Sequence, residues 1–201
     1  MVAGQMTARA LGAWVCFEDE AGQSLRPPKA STWSRCGVTP VVPVSGKGSG
    51  RVSMAGLIAA RPGLRTRLFF RIRVYHGRKR EPKGLAEADY IRLLGAVHAQ
   101  LRAPVVLIWD NLNHHVSAAM RAFVEAHDWL TVVQLPAYTP ELNPTEGVWS
   151  NLKRGLGNLA ACSTDQLATI VRTRLKSMQY RPRLLDAFIA ETGLALQPQP
   201  P

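Results

Sequence analysis

Cysteine is scarce in this chain: three in 201 residues, Cys16, Cys36 and Cys162, with no CxxC pair among them. An odd number so widely spaced supports neither a disulfide framework nor a zinc site. Long apolar runs are missing too, and none approaches the ~20 residues that a membrane-spanning helix needs. Met1 to Leu11 lacks the basic-then-apolar order of a signal peptide. Acids are in deficit, with 14 Asp plus Glu against 25 Lys plus Arg, for a net charge of +11. What is present is 46% apolar residues, enough to bury a core and to exclude wholesale disorder. The expectation is one soluble, intracellular domain whose charge suits a polyanionic partner.

The positive charge is concentrated. Arg61, Arg65, Arg67, Arg71, Arg73, Arg78, Lys79, Arg80 and Lys83 face one acid, Glu81, which places +8 of the +11 in a single stretch. Within it, Thr66 to Tyr75 alternates with period two: Arg65, Arg67, Arg71 and Arg73 to one side, Leu68, Phe70, Ile72 and Val74 to the other. That pattern predicts a half-buried strand. Its arginines suit backbone phosphates, each neutralised phosphate releasing condensed counterions. They equally suit a charged edge strand that resists edge-to-edge association.

The rest of the chain alternates strands and helices. Trp14 to Phe17 is a short apolar run ending in Glu18-Asp19-Glu20. Ala21 to Gly50, rich in proline, glycine and serine, predicts a long irregular insertion. Arg51–Ala60 and Thr66–Tyr75 read as strands, and Leu85–Arg102 as a helix. Val105 to Trp109 is a continuous apolar run, expected of a strand buried on both faces. Val116–His127 reads as a helix, Leu130–Leu135 as a strand, and Pro144–Leu156 and Thr164–Met178 as helices. Gln197 onward is a polar tail without a reason to pack. Gly46-Lys47-Gly48-Ser49-Gly50 lacks the spacing of a phosphate-binding loop. The domain plan is a leader over 1–11, an α/β domain over 12–180 with the insertion at 21–50, and a C-terminal helix and tail over 181–201. Its fold class is a mixed sheet, three strands and then alternating helix and strand, flanked by helices.

Three acids stand out. Asp19 is expected to end the first strand. Asp110 follows the buried run, where α/β sheets place ligand sites. Glu146 lies in the first turn of a helix. If the first strand neighbours Val105–Trp109, Asp19 and Asp110 meet at one edge, and two carboxylates that close call for a shared proton or a divalent cation. Oxygen ligands without His or Cys favour Mg²⁺ or Mn²⁺. Each acid also has a plainer explanation: Asp110-Asn111 as turn chemistry, Glu146 as N3 of a capping box with Asn143 as N-cap and Pro144 at N1, and Asp19 as one of three adjacent acids. Trp149, one turn after Glu146, reads as core packing.

Around these acids the chain reads VVLIWDNLNHHVS at Val105 to Ser117 and LPAYTPELNPTEGVWSNLK at Leu135 to Lys153. With CFEDEAG and with TWSRCGVTP at Thr32 to Pro40, these motifs resemble the catalytic domain of mariner-like insertion-sequence transposases, DDE endonucleases of ribonuclease-H-like fold. The resemblance spans about Trp14 to Arg154. It implies that Asp19, Asp110 and Glu146 are the catalytic acids and that they hold two ions of Mg²⁺ or Mn²⁺. Asn111 and His115 match the family's polar neighbours of the second acid. Tyr138, Pro140, Asn143, Pro144, Trp149 and Lys153 match its segment around the third. Thr139 and Ala137 depart mildly, standing where Ser and Pro are commoner.

The implied function is metal-dependent DNA strand cleavage and strand transfer, with Arg65, Arg67, Arg71, Arg73, Lys153 and Arg154 as candidate phosphate contacts. Asn111, His115 and Asn143 are candidate supporting residues. The implied partners are transposon ends and target DNA, a second copy in a homodimer, and a companion helix-turn-helix chain, since such transposases normally carry those modules N-terminally. The expected location is cytoplasmic and DNA-associated. The alternative is a truncated or inactive remnant that only binds DNA non-specifically.

Overall fold

A computed structural model describes residues 12–28, 31–41, 50–110, 117–136, 138–157 and 163–194. Five strands form one mixed sheet: β1 (Trp14–Ser24), β2 (Arg51–Ala60), β3 (Arg67–Tyr75), β4 (Val105–Trp109) and β5 (Leu130–Gln134), in the order β3-β2-β1-β4-β5. The first three are antiparallel; β4 runs parallel to β1, and β5 parallel to β4. Five helices cover the faces: α1 (Glu87–Leu101), α2 (Ala118–Glu125), α3 (Thr145–Gly155), α4 (Thr164–Gln179) and α5 (Pro182–Glu191). Side-chain hydroxyls cap two of them: Ser117 accepts the Met120 N–H and Ser163 accepts the Gln166 N–H.

Strand alternation divides the apolar residues between two cores. Val15, Phe17 and Ala21 of β1, with Val52, Met54 and Ile58 of β2 and Val106 and Ile108 of β4, pack under α3, α4 and α5. Trp14 and Cys16, with Ala55, Leu57, Phe69, Leu107 and Trp109, pack under α1 and Met120 of α2. The sheet is therefore covered on both faces, as the unbroken apolar run of β4 requires.

Three expectations change. The first strand does not end at Asp19: pairing with β2 continues from Asp19↔Gly56 to Ser24↔Arg51, so Asp19 lies in mid-strand. The irregular insertion accordingly starts after Ser24 rather than at Ala21. Backbone pairing to a long antiparallel neighbour outweighs the glycine and polar residues of Ala21 to Ser24. Residues 31–41 are exposed and without regular structure. The core also extends past residue 180, because Leu185, Phe188 and Ile189 of α5 are buried with α3 and α4. The expected leader, residues 1–11, and tail, 197–201, lie outside the described residues, as do 29–30 and 42–49 of the insertion. Among the described residues no helix is long and apolar enough to cross a membrane.

Candidate active site

The central strand is held by the start of α3. Asn143 Oδ1 accepts the Thr145 N–H at 3.1 Å, so Asn143 caps the helix, and its Nδ2 donates to the Glu18 carbonyl at 2.9 Å. Thr145 Oγ1 donates to the Phe17 carbonyl at 2.8 Å. One turn on, the buried Trp149 indole N–H donates to Asp19 Oδ2 at 2.9 Å. Three consecutive residues of β1 are thus fixed from the cap and first two turns of α3, and Asp19 is only 9% exposed. Gly56, opposite Asp19 in the ladder, makes the room: a Cβ there would lie 2.7 Å from the indole Cη2.

Glu146 stands exposed on the same first turn. Burial first, then the charges of Glu146 and Glu18, push the Asp19 carboxyl up to about 7, against the opposing Trp149 and backbone hydrogen bonds. Asp110 follows β4, whose register with β1 ends at Phe17↔Ile108. Asp110 lies just past the end of β4, and only by extending that register two positions would it come level with Asp19; its charge bears on the Tyr90 hydroxyl of α1, while the groups acting on Asp19 are Glu146 and Glu18. Ile108 shares a core with Phe17, so strand alternation carries Asp110 toward the face of Asp19. Among the described residues no three His, Cys, Asp or Glu side chains form a ready-made metal cluster. The structure instead brings Glu146 near enough to Asp19 for its charge to oppose ionisation of the Asp19 carboxyl. This all-oxygen donor set suits Mg²⁺ or Mn²⁺, and the Asp19 carboxyl, raised first by burial and then by the neighbouring acids, is one whose ionised form such a cation would favour. Asn111 and His115 lie outside the described residues.

The other face is differently organised. Glu20 accepts from the Tyr90 hydroxyl of α1. Asp89 of α1, buried, binds Arg71 Nε at 3.0 Å and Arg73 Nη2 at 2.5 Å. Burial tends to raise its carboxyl, but the Ala86 N–H, Arg73 and Arg71 together hold it below the usual range. Arg67 lies over the Trp14 ring, 5.7 Å from its centroid. Arg67, Arg71 and Arg73 therefore sit on the α1 side, opposite Asp19. Arg65 parts from them and donates to the Gln179 carbonyl at the end of α4, at 3.3 Å. Lys153 and Arg154 are exposed in the last turn of α3, two turns along from Glu146.

Sequence reasoning missed Trp149 as a carboxylate partner, Thr145 as a tether, and Asp89. A usable signal existed for the first, since a buried indole N–H needs an acceptor.

Carboxylates on the central strand and beside its parallel neighbour, in a mixed sheet covered by helices, define an α/β domain of ribonuclease-H-like form. The chain belongs to the DDE superfamily endonucleases, whose family pattern matches residues 14–168. No curated protein matches the sequence. Among solved structures, the fold is similar to the mariner Mos1 paired end complex with Mg, at TM-score 0.65 and 13% identity over 97% of this chain and 58% of that chain. The Mos1 strand transfer complex gives 0.57 and 14%, covering 96% and 59%. The catalytic domain of Mos1 mariner transposase gives 0.50 and 14%, covering 95% and 89%. The chain thus spans 59% of the transposase chain in the strand transfer complex.

Proposed function

We propose that this chain is the catalytic domain of a mariner-like DDE transposase that cleaves and joins DNA strands, with Asp19, Asp110 and Glu146 as ligands for two Mg²⁺ or Mn²⁺ ions. The observation that carries the reading is Asp19 itself: a carboxyl buried in mid-sheet, bound by the Trp149 indole, and pushed up to about 7 by burial and then by Glu146 and Glu18. Such crowding is costly unless a cation is part of the design. Asp19, Asp110 and Glu146 would hold the metal pair, whose chemistry there would be to lower the pKa of an attacking water or 3′-hydroxyl and to offset charge on the leaving oxygen. The chain's own part is positional. Trp149 occupies Asp19 Oδ2 and so orients the carboxylate, while Asn143 and Thr145 fix the helix turn that carries Glu146. Lys153 and Arg154, exposed in the last turn of α3, hold backbone phosphate in this reading.

The partners in this reading are transposon ends and a target duplex, brought together by a homodimer, with a helix-turn-helix chain or domain supplying end recognition. The paired-end and strand transfer assemblies of Mos1 support it. The test is calorimetry and a plasmid-nicking assay. Mn²⁺ binding and Mn²⁺-dependent nicking are expected, and Asp110→Ala should abolish both. Duplex binding without any metal-dependent cleavage would instead leave a non-catalytic DNA-binding protein.

A further inference from the structure

Tyr138 has no role in the packing described above. Its side chain is fully exposed, at 100%, and its backbone sits at φ +60°, the left-handed region that a bulky residue rarely adopts. An aromatic ring held in water on a strained backbone persists only where the surroundings over-determine it. Here they do. Thr139 Oγ1 donates to the Pro136 carbonyl at 2.8 Å, the Leu142 N–H to the Thr139 carbonyl at 3.1 Å, and the Asn143 N–H to the Pro140 carbonyl at 2.9 Å. The loop is tied at both ends to residues that precede the acids. The Leu135 N–H donates to the carbonyl of Trp109, next to Asp110. Asn143 Nδ2 donates to the carbonyl of Glu18, next to Asp19. Three residues span at most about 10 Å, so Tyr138 stands within that reach of the Leu135–Trp109 contact that precedes Asp110.

We infer that Tyr138 is a stacking platform for an unpaired nucleobase next to the scissile phosphate, an inference that rests on the function proposed above. Asp19 is buried, so a phosphate approaching it draws its strand out of the regular duplex and leaves a neighbouring base without its stacking partner. An exposed aromatic face replaces that partner, and does so for any base, because every base has a π-face. The hydrogen bonds of Thr139, Leu142 and Asn143 hold the chain that follows the ring. Tyr138 is a positioning residue: it holds the strand and moves no proton.

The test uses the full 201-residue chain and a DNA hairpin with a short 3′ overhang carrying 2-aminopurine, whose fluorescence is quenched by stacking. Quenching on binding is expected for the wild type and for Tyr138→Phe. Tyr138→Ala should lose it and bind the overhang roughly tenfold more weakly, while binding a blunt hairpin as before. Tyr138→Gly should raise the melting temperature by relieving the strained backbone, yet still fail to quench. Equal quenching by Tyr138→Ala and wild type would overturn the inference. Asp19→Asn should quench normally without nicking. If the wild type never nicks with Mn²⁺, the nuclease reading falls, and the quenching comparison still decides the stacking.

Discussion

Asp19 has to ionise where burial, Glu146 and Glu18 all oppose it, and its carboxyl is pushed from 3.8 to about 7. The folded metal-free protein therefore keeps a proton, between about pH 4 and pH 7, that the unfolded chain has released. Stability from that proton is fully present below the unfolded value and is lost as pH rises through about 7. The ceiling of the effect is on the order of 4 kcal/mol. In EDTA, the melting temperature of the wild type should fall between about pH 5 and pH 8, while that of Asp19→Asn, which can still accept from Trp149, should not. Adding Mn²⁺ near pH 8 should restore the wild type and leave Asp19→Asn unmoved. Parallel pH profiles for the two proteins would remove Asp19 from the centre of the site.

Between elements, the critical contact is α3 against the β1–β2 pair. A methyl group at Gly56 would meet the Trp149 ring at 2.7 and 2.8 Å and Thr145 Cγ2 at 3.3 Å. The ring is buried and pinned by its hydrogen bond to Asp19, so it cannot swing aside. Gly56→Ala should cost about 1–3 kcal/mol through overpacking and should also move Asp19 and Glu146 out of register. Metal-dependent nicking should then drop sharply at temperatures where the variant remains folded. Val97→Ala, a truncation in the opposite core under α1, should lose stability and keep nicking. Equal activity in both variants would separate this packing from catalysis. Most elements here were legible from the chain: the apolar run of β4, the alternation of β3, and the Asn143 cap that starts α3. The continuation of β1 to Ser24 was not, because its outer half is made by pairing with β2 and carries no apolar pattern of its own. Nor was the Trp149–Asp19 contact, which joins residues 130 positions apart and leaves no local spacing to read.

Across the whole molecule, a net charge of +11 suits the DNA partner proposed above, but its basic groups are not equivalent. The alternation that put Arg67, Arg71 and Arg73 on one side was legible; the claim that Asp89 makes on two of them was not. Arg71 and Arg73 neutralise a carboxylate that is 2% exposed, on the face opposite Asp19, and releasing them to phosphate would strand that carboxylate in the core. Lys153 and Arg154 are exposed on the helix that carries Glu146, where a strand engaged at the acids would pass in the function proposed above. Each phosphate contact contributes about 0.9 to the slope of log affinity against log salt. Replacing Lys153 and Arg154 by Gln should therefore flatten the slope for a short duplex by up to about 1.8. Replacing Arg71 and Arg73 by Gln should lower the melting temperature and leave the slope nearly unchanged. If the strand pair flattens the slope and the helix pair does not, DNA crosses the α1 face, and the acids of β1 and α3 lie on the wrong side of the sheet to cut it.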